Sequence, residues 1–219
     1  MYENEKLSSL GRLSTSVAHE VKNPLSSIKA IVQVMREDVK KNDPLQEDLT
    51  IIVDEIDRLT KVVNQLLQFA KPGSEVKTSV RIGAVIHSTL VALNHEAKQN
   101  KITTFCQIPN DLPEIAADEG ALKEVFFNLL RNAIQAMPSG GEIHINAHYQ
   151  PSSHAIQITV TDTGTGIAQG SFQKIFEPFY TTKQTGTGLG LSIVKKKLED
   201  MEATIHAESN GHGASFVIN

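Results

Sequence analysis

The chain has 219 residues, 40% of them hydrophobic, enough apolar material for one or two packed domains. Its formal charge is −4 and no stripe of Lys and Arg runs along it, which argues against nucleic acid as a partner. No apolar run approaches the ~18 residues of a membrane span and the start MYENEKLSS is too polar for a signal peptide, so the chain as given reads as soluble and cytoplasmic.

The first seventy or so residues read as helix. Leu10, Leu13, Val17, Val21, Leu25, Ile28, Val32 and Met35 recur at the three-and-four spacing of one buried stripe. His19 lies two positions from both Val17 and Val21, so at ~100° per residue it turns away from the stripe and faces solvent. Pro24 brings no N–H and crowds the carbonyl four residues back, loosening the turn that contains Glu20. In the following NDPLQ stretch, Asp43 is an expected N-cap, Pro44 takes the first helical position and Gln46 can close a capping box. A second stripe, Leu45, Leu49, Ile52, Ile56, Leu59, Val63, Leu66 and Ala70, completes a hairpin of two long amphipathic helices. Such a hairpin buries one seam and leaves apolar surface that another copy can cover as a four-helix bundle, so a homodimer is expected.

The texture changes at Lys71, Pro72 and Gly73, which sets the domains at 1–72 and 73–219, joined through KPGSE. Beyond that point the periodicity predicts a helix over Ile82 to Lys98, a strand over Ile102 to Ile108, and a long helix over Glu119 to Met137. A hairpin of Glu142 to Tyr149 with Ala155 to Thr161 follows. A helix over Leu189 to Met201 and strands over Thr204 to Glu208 and Ala214 to Ile218 close an α/β layer domain. The single cysteine, Cys106, alternates with strand-like neighbours in TTFCQI, cannot form an internal disulfide, and is expected at a core position in a reducing compartment.

Three stretches of this second domain carry chemical possibilities. NLLRNAIQA puts Asn128 and Asn132 four apart on one helical face, where two amide oxygens can reach a common ligand; a merely solvated face explains the pair equally well. VTDTGTGI places Asp162 at the end of a strand, followed by Gly164 and Gly166, which suit either a close ligand or a simple turn. In TGTGLGLSIVKKK, Gly186, Gly188 and Gly190 lead into a helix whose free N–H groups suit phosphates, although the spacing matches neither the dinucleotide fingerprint nor the P-loop.

The order of the motifs points further than any one of them. HEVKNP resembles the H-box of bacterial sensor histidine kinases, NLLRNA the N-box, DTGTGI the G1-box, FEPFYTTK the F-box and GTGLGLSI the G2-box, in family order across both domains. Within the family, the H-box and the short F-to-G2 loop most resemble the sporulation kinases of Bacillus-type bacteria. The resemblance implies an α plus α/β architecture, a dimerising phosphoacceptor hairpin followed by an α/β sandwich of the GHKL type. It implies an ATP-dependent autokinase that passes the γ-phosphate from ATP to His19 and then to an aspartate of a response regulator receiver domain. Dephosphorylation of that regulator is a further activity it admits, and a small inhibitor protein binding the hairpin a further partner.

Residue by residue, the resemblance makes His19 the nucleophile, Glu20 its base, and Asn23 the group that orients water for dephosphorylation. Asp162 is expected to accept from the adenine amino group and Asn132 to bind Mg²⁺ through its amide oxygen. Arg131 and Lys183 are candidate phosphate contacts. Asn128, Gly164 and Gly166 belong to the same nucleotide site, and Gly186, Gly188 and Gly190 form a mobile lid over the phosphates. Phe176, Phe179 and Tyr180 are expected to pack the base of the lid. The related gyrase, mismatch-repair and heat-shock ATPases carry a water-activating glutamate four residues before the Mg²⁺ asparagine. Here that position is Asn128, a poor base, which favours transfer to histidine over hydrolysis, with Glu124 one turn further away as the residual carboxylate. The alternatives are a GHKL-fold ATPase and a non-catalytic ATP-binding dimeric scaffold. His144 and His148 are expected on a solvated strand face, and Lys195, Lys196 and Lys197 on the exposed side of the last helix. No sensor segment precedes residue 1, so the resemblance implies one that was removed, leaving a possible membrane anchor with it, or one carried by another chain.

Overall fold

Helix α1 (Tyr2–Asp38) runs through Pro24 without interruption, and α2 (Leu45–Ala70) returns beside it. The computed structural model describes the backbone of residues 2–40, 43–70, 77–183, 186–209 and 211–219, and the side chains of these spans except 2–18 and 68–70. The side chains of Leu10, Leu13 and Val17 in the first apolar stripe, and the whole KPGSE stretch, therefore lie outside what is described. The chain divides into two compact units, Met1–Pro72 and Gly73–Asn219.

In the first unit Val32 and Leu49 of the two stripes are buried together with Val53, which neither stripe included, and Val39 packs against them. Lys29 Nζ reaches Asp57 Oδ1 at 2.5 Å across the hairpin. Asp43 accepts from the Leu45 N–H at 2.9 Å, as an N-cap does with Pro44 in the first position. Gln46 does not close a capping box. Its Nε2 donates instead to the Arg36 and Val39 carbonyls at 2.7 and 2.8 Å, because the last carbonyls of α1 lack intrahelical donors and the hairpin brings Gln46 over them. Val21, Ile28, Met35, Leu45, Ile52 and Leu59 of the two stripes remain exposed on the single chain.

In the second unit β1 (Thr78–Val80) pairs antiparallel with β3 (Ile115–Ala117), two strands of three residues each, too short to show alternation in the sequence. The main sheet is built from β2 (Ile102–Gln107), β4 (Gly141–Gln150), β5 (Ala155–Asp162), β6 (Ile205–Glu208) and β7 (Ser215–Ile218). Its order is β2-β4-β5-β7-β6, parallel between β2 and β4 and antiparallel elsewhere. Helices α3 (Ile82–Gln99), α4 (Glu119–Gln135) and α5 (Gly190–Asp200) supply the helical layer. The core lies between them: Val125, Phe126 and Leu129 of α4 are buried with Ile143 and Ile145 of β4 and Val160 of β5. Asp118 caps α4, its carboxylate accepting from the Ala121 N–H at 3.1 Å. This packing holds α4 so that Asn128 faces the start of α5.

The other sheet face is polar. His144 is half-buried and His148 exposed there, as the alternation predicts, with Phe105 stacked on His144 at 4.8 Å. Cys106 is exposed, contrary to the core position expected from its neighbours. It shares strand parity with buried Ile102, but β2 is the edge strand and Ile102 is its one buried residue. The native protein should therefore take up one equivalent of a maleimide at Cys106 without denaturant. Labelling that required unfolding would contradict the edge placement.

Candidate functional site

Helical spacing puts Asn128, Asn132 and Gln135 on one side of α4. Asn128 Nδ2 donates back to the Glu124 carbonyl at 2.9 Å, which fixes the amide and leaves Oδ1 directed at the start of α5, where a Cβ on Gly190 would lie 3.4 Å away. Asn132 Oδ1 accepts from Lys183 Nζ at 2.7 Å, and Gln135 Oε1 accepts from the same ammonium at 3.1 Å. Gln135 was not singled out by the sequence; its position one turn beyond Asn132 was the available signal. Arg131 Nε lies 3.7 Å from Glu96 Oε1 of α3.

Asp162 ends β5 and is 4% exposed. Its Oδ1 accepts two backbone N–H groups, Gly164 at 2.8 Å and Ala214 at 3.3 Å. Burial pushes the carboxyl above its ordinary range, while these two hydrogen bonds and the Lys183 charge pull it back down. Burial also lowers the Lys183 ammonium; Asp162 raises it and Arg131 lowers it further. Asp162, Asn132, Lys183 and Arg131 thus form one electrostatic group, assembled from β5, α4 and the segment ahead of α5. Gly164 and Gly166 follow in the turn after β5, which is tied to the end of α4 by the Thr165 N–H on the Ala136 carbonyl at 3.3 Å.

The segment before α5 carries the remaining candidates. Phe176 meets Phe216 edge-on at 6.4 Å and Tyr180 donates to Ser171 Oγ at 3.0 Å, so these two anchor the segment as expected. Phe179 does not: it is 62% exposed, with a backbone φ of +67°. Its backbone is packed so closely on Gly188, φ +68°, that a Cβ on Gly188 would collide with it. Gly186 donates to the Lys183 carbonyl at 3.2 Å, closing a tight turn, whereas neighbouring Thr185 lies outside the described residues. Helix α5 starts at Gly190 with no side-chain cap on its first N–H groups.

One lysine lies elsewhere than its run of three suggests. Lys197 is not on the exposed side of α5 with Lys195: its ammonium pairs with Glu124 at 2.9 Å, both side chains being about one-fifth exposed. That ion pair engages the carboxylate next along α4 from Asn128. In the first unit, His19, Glu20 and Asn23 are all exposed on α1, and the Asn23 carbonyl accepts from Ser27 Oγ at 3.1 Å.

Comparison with known proteins agrees with both units. Residues 9–75 match the family described as His Kinase A (phospho-acceptor) domain, and residues 117–219 match the histidine kinase-, DNA gyrase B- and HSP90-like ATPase family. The chain is 38% identical over its whole length to signal transduction histidine-protein kinase AtoS of Escherichia coli K12 and 34% identical to sporulation kinase A of Bacillus subtilis 168. It spans 36% of the length of each. Among solved structures, full-length ShkA in complex with AMPPNP superposes with a TM-score of 0.78 at 25% identity, over 94% of this chain and 45% of that one. The catalytic domain of histidine kinase ThkA gives 0.60 at 31% identity, over 65% of this chain and 93% of that one. ThkA in complex with response regulator protein TrrA gives 0.70 at 28% identity, over 98% of this chain and 62% of that one.

The chain belongs to the histidine kinase family. Its fold is a helical hairpin followed by a GHKL-type α/β domain, and no helix among the described residues is long and apolar enough to cross a membrane.

The buried carboxylate has a thermodynamic consequence. A folded-state pKa raised above the unfolded value means that the ionised form costs stability, fully so once the pH exceeds the folded pKa, and that the cost vanishes below the unfolded value. Asp162→Asn keeps an oxygen for Gly164 and Ala214 and removes the charge. It should raise the melting temperature of the nucleotide-free protein at pH 8, by about 2–4 °C per kcal/mol relieved, and leave it near the parent value at pH 3. A lower melting temperature at pH 8 would contradict the burial cost.

Proposed function

We propose that this chain is the catalytic core of an ATP-dependent histidine autokinase in a two-component or phosphorelay system. A lone pair on one imidazole nitrogen of His19 forms the new N–P bond, the bond from the γ-phosphorus to the β,γ-bridging oxygen breaks, and ADP leaves with that electron pair. The proton on the other ring nitrogen passes toward Glu20, the adjacent carboxylate. The exposure of His19 supports this role, since both ATP and a receiver aspartate must reach it. Asn23, one turn on and equally exposed, is suited to holding water against a phosphorylated regulator.

In the nucleotide site Asp162 accepts from the adenine amino group, a contact that guanine, with an oxygen there, cannot make. The α5 N-terminus and the Gly186–Gly190 segment face the phosphates with backbone N–H groups, and Arg131 and Lys183 supply positive charge. Asn132 fits Mg²⁺: its Oδ1 and the Gln135 oxygen already hold a cation, the Lys183 ammonium, and both are hard neutral donors. Among the described residues no cluster of three or more His, Cys, Asp or Glu could hold a metal alone, which suits an ion that arrives with the phosphates and neutralises their charge.

The observation that carries transfer over hydrolysis is the state of the two groups nearest the place of a water-activating base. Asn128 is an amide whose Nδ2 donates to the Glu124 carbonyl, and the Glu124 carboxylate is held in the packing of α4 on α5, with Oε2 on Lys197 and Oε1 buried. An amide is no base, and a buried carboxylate beside an ammonium is poorly placed to take a proton from water. ATP labelled at the γ-position should therefore transfer an acid-labile, base-stable label to the protein. His19→Gln should abolish the label, and Asn132→Asp should lower the labelling rate at least tenfold by adding a charge that repels phosphates. Steady release of inorganic phosphate with no protein-bound label would favour an ATPase instead.

The assembly is a homodimer in this reading, with the exposed apolar residues of both stripes closing a four-helix bundle. The partner is a response regulator receiver domain, with the exposed hairpin also the surface that a small inhibitor protein would grip. Such a kinase works where ATP is, in the cytoplasm. Light scattering should show a dimer at micromolar concentration, whereas a stable monomer there would contradict the bundle.

A further inference from the structure

Asp162 can read adenine only if its carboxylate and the turn after it hold a fixed geometry, and that geometry has two supports. The first is the sheet. The Asp162 N–H donates to the Ala214 carbonyl at 2.9 Å, and the Ala214 N–H returns to Asp162 Oδ1 at 3.3 Å. Gly213, φ +110°, sits so close that a Cβ there would run into the Asp162 carbonyl oxygen. Strand pairing therefore fixes Ala214. It does not fix the turn over 164–167, which has left the sheet and which carries the other donor to Asp162, the Gly164 N–H.

That turn is held by a group that neither the family motifs nor the site described above includes. Ser209 Oγ accepts from the Ile167 N–H at 3.1 Å and from the Gly211 N–H at 3.5 Å, and donates to the Gly213 carbonyl at 2.6 Å. One half-buried hydroxyl thus joins the turn after β5 to the turn before β7. Beyond Thr163, the other cross-chain bond described for the turn is the longer one from the Thr165 N–H to Ala136.

We propose that Ser209 is a positioning residue for adenine recognition, its hydroxyl holding the 164–167 turn so that the Gly164 N–H occupies one oxygen of Asp162 and the other is presented to the base. The inference rests on Asp162 being the adenine acceptor. Removing the hydroxyl leaves Ile167 N–H and the Gly213 carbonyl without this partner and frees the turn, so the loss should fall on the interaction that distinguishes adenine.

Calorimetric titration of the full chain with ADP and with inosine diphosphate, which carries an oxygen in place of the amino group, tests this. Ser209→Ala should weaken ADP roughly tenfold and inosine diphosphate little, lowering the ratio of the two affinities, and Ser209→Thr, which keeps the hydroxyl, should restore the ratio. A Ser209→Ala protein that weakens both nucleotides equally, or neither, overturns the proposal, since a purely structural role has no means of telling the bases apart. Asp162→Asn is the control. If it changes the ratio and Ser209→Ala does not, only the role of Ser209 falls; if Asp162→Asn leaves the ratio at the parent value, the adenine reading of Asp162 fails first.

Discussion

The second unit is organised around one costly group, a carboxylate buried at the end of a central strand. Asp162 is 4% exposed, and a charge in that place persists only where fixed dipoles and a counter-charge replace the water it has lost. Two backbone N–H groups and the Lys183 ammonium do so. Each comes from a different part of the chain: the turn after β5, the entry to β7, and the segment ahead of α5. Satisfying Asp162 therefore brings these three segments, the elements of the proposed nucleotide site, together.

The same economy explains the cationic side of the site. Lys183 is itself half-buried and disfavoured as a charge, and it rests on the oxygens of Asn132 and Gln135. In the proposed nucleotide site a phosphate chain with its own cation would be a better partner for both amides and for Lys183 than they are for one another, because it would bring charges of both signs. These residues hold one another in place by contacts that, in the proposed site, a nucleotide would replace. The ion pair of Glu124 with Lys197 is of another kind, linking α4 to α5.

Much of this was legible in the sequence because the relevant signals are periodic or local. The two apolar stripes that contribute Val32 and Leu49 to the hairpin seam, the long α4 and the β4–β5 hairpin follow from spacing, and Asp162, Asn132, Gly186, Gly188 and Gly190 stand in contiguous motifs. What could not be read depends on contacts between distant segments. Gln46 has the spacing of a capping box, yet it serves the carbonyls of the preceding helix, because the competing acceptors appear only once the hairpin closes. Cys106 alternates like a core residue, but burial depends on the neighbours of its strand, and β2 lies at an edge. Lys197 sits in a run of three lysines that reads as solvated; only the packing of α5 on α4 singles it out. Ser209 and Ala214 lie in no recognised motif and reach Asp162 or its turn through the register of the last two strands.

We infer that Asp162 is kept as a buried, costly carboxylate whose remaining hydrogen-bonding capacity serves an amino group of the nucleotide. Carboxyl-carbon NMR of the full chain, titrated with pH, observes this group directly. In the nucleotide-free protein Asp162 should titrate above the ordinary carboxylate range. Saturation with ADP should move it downward, because an amino group donating to the carboxylate favours the ionised form. An Asp162 that titrates in the ordinary range and does not respond to ADP would contradict the account.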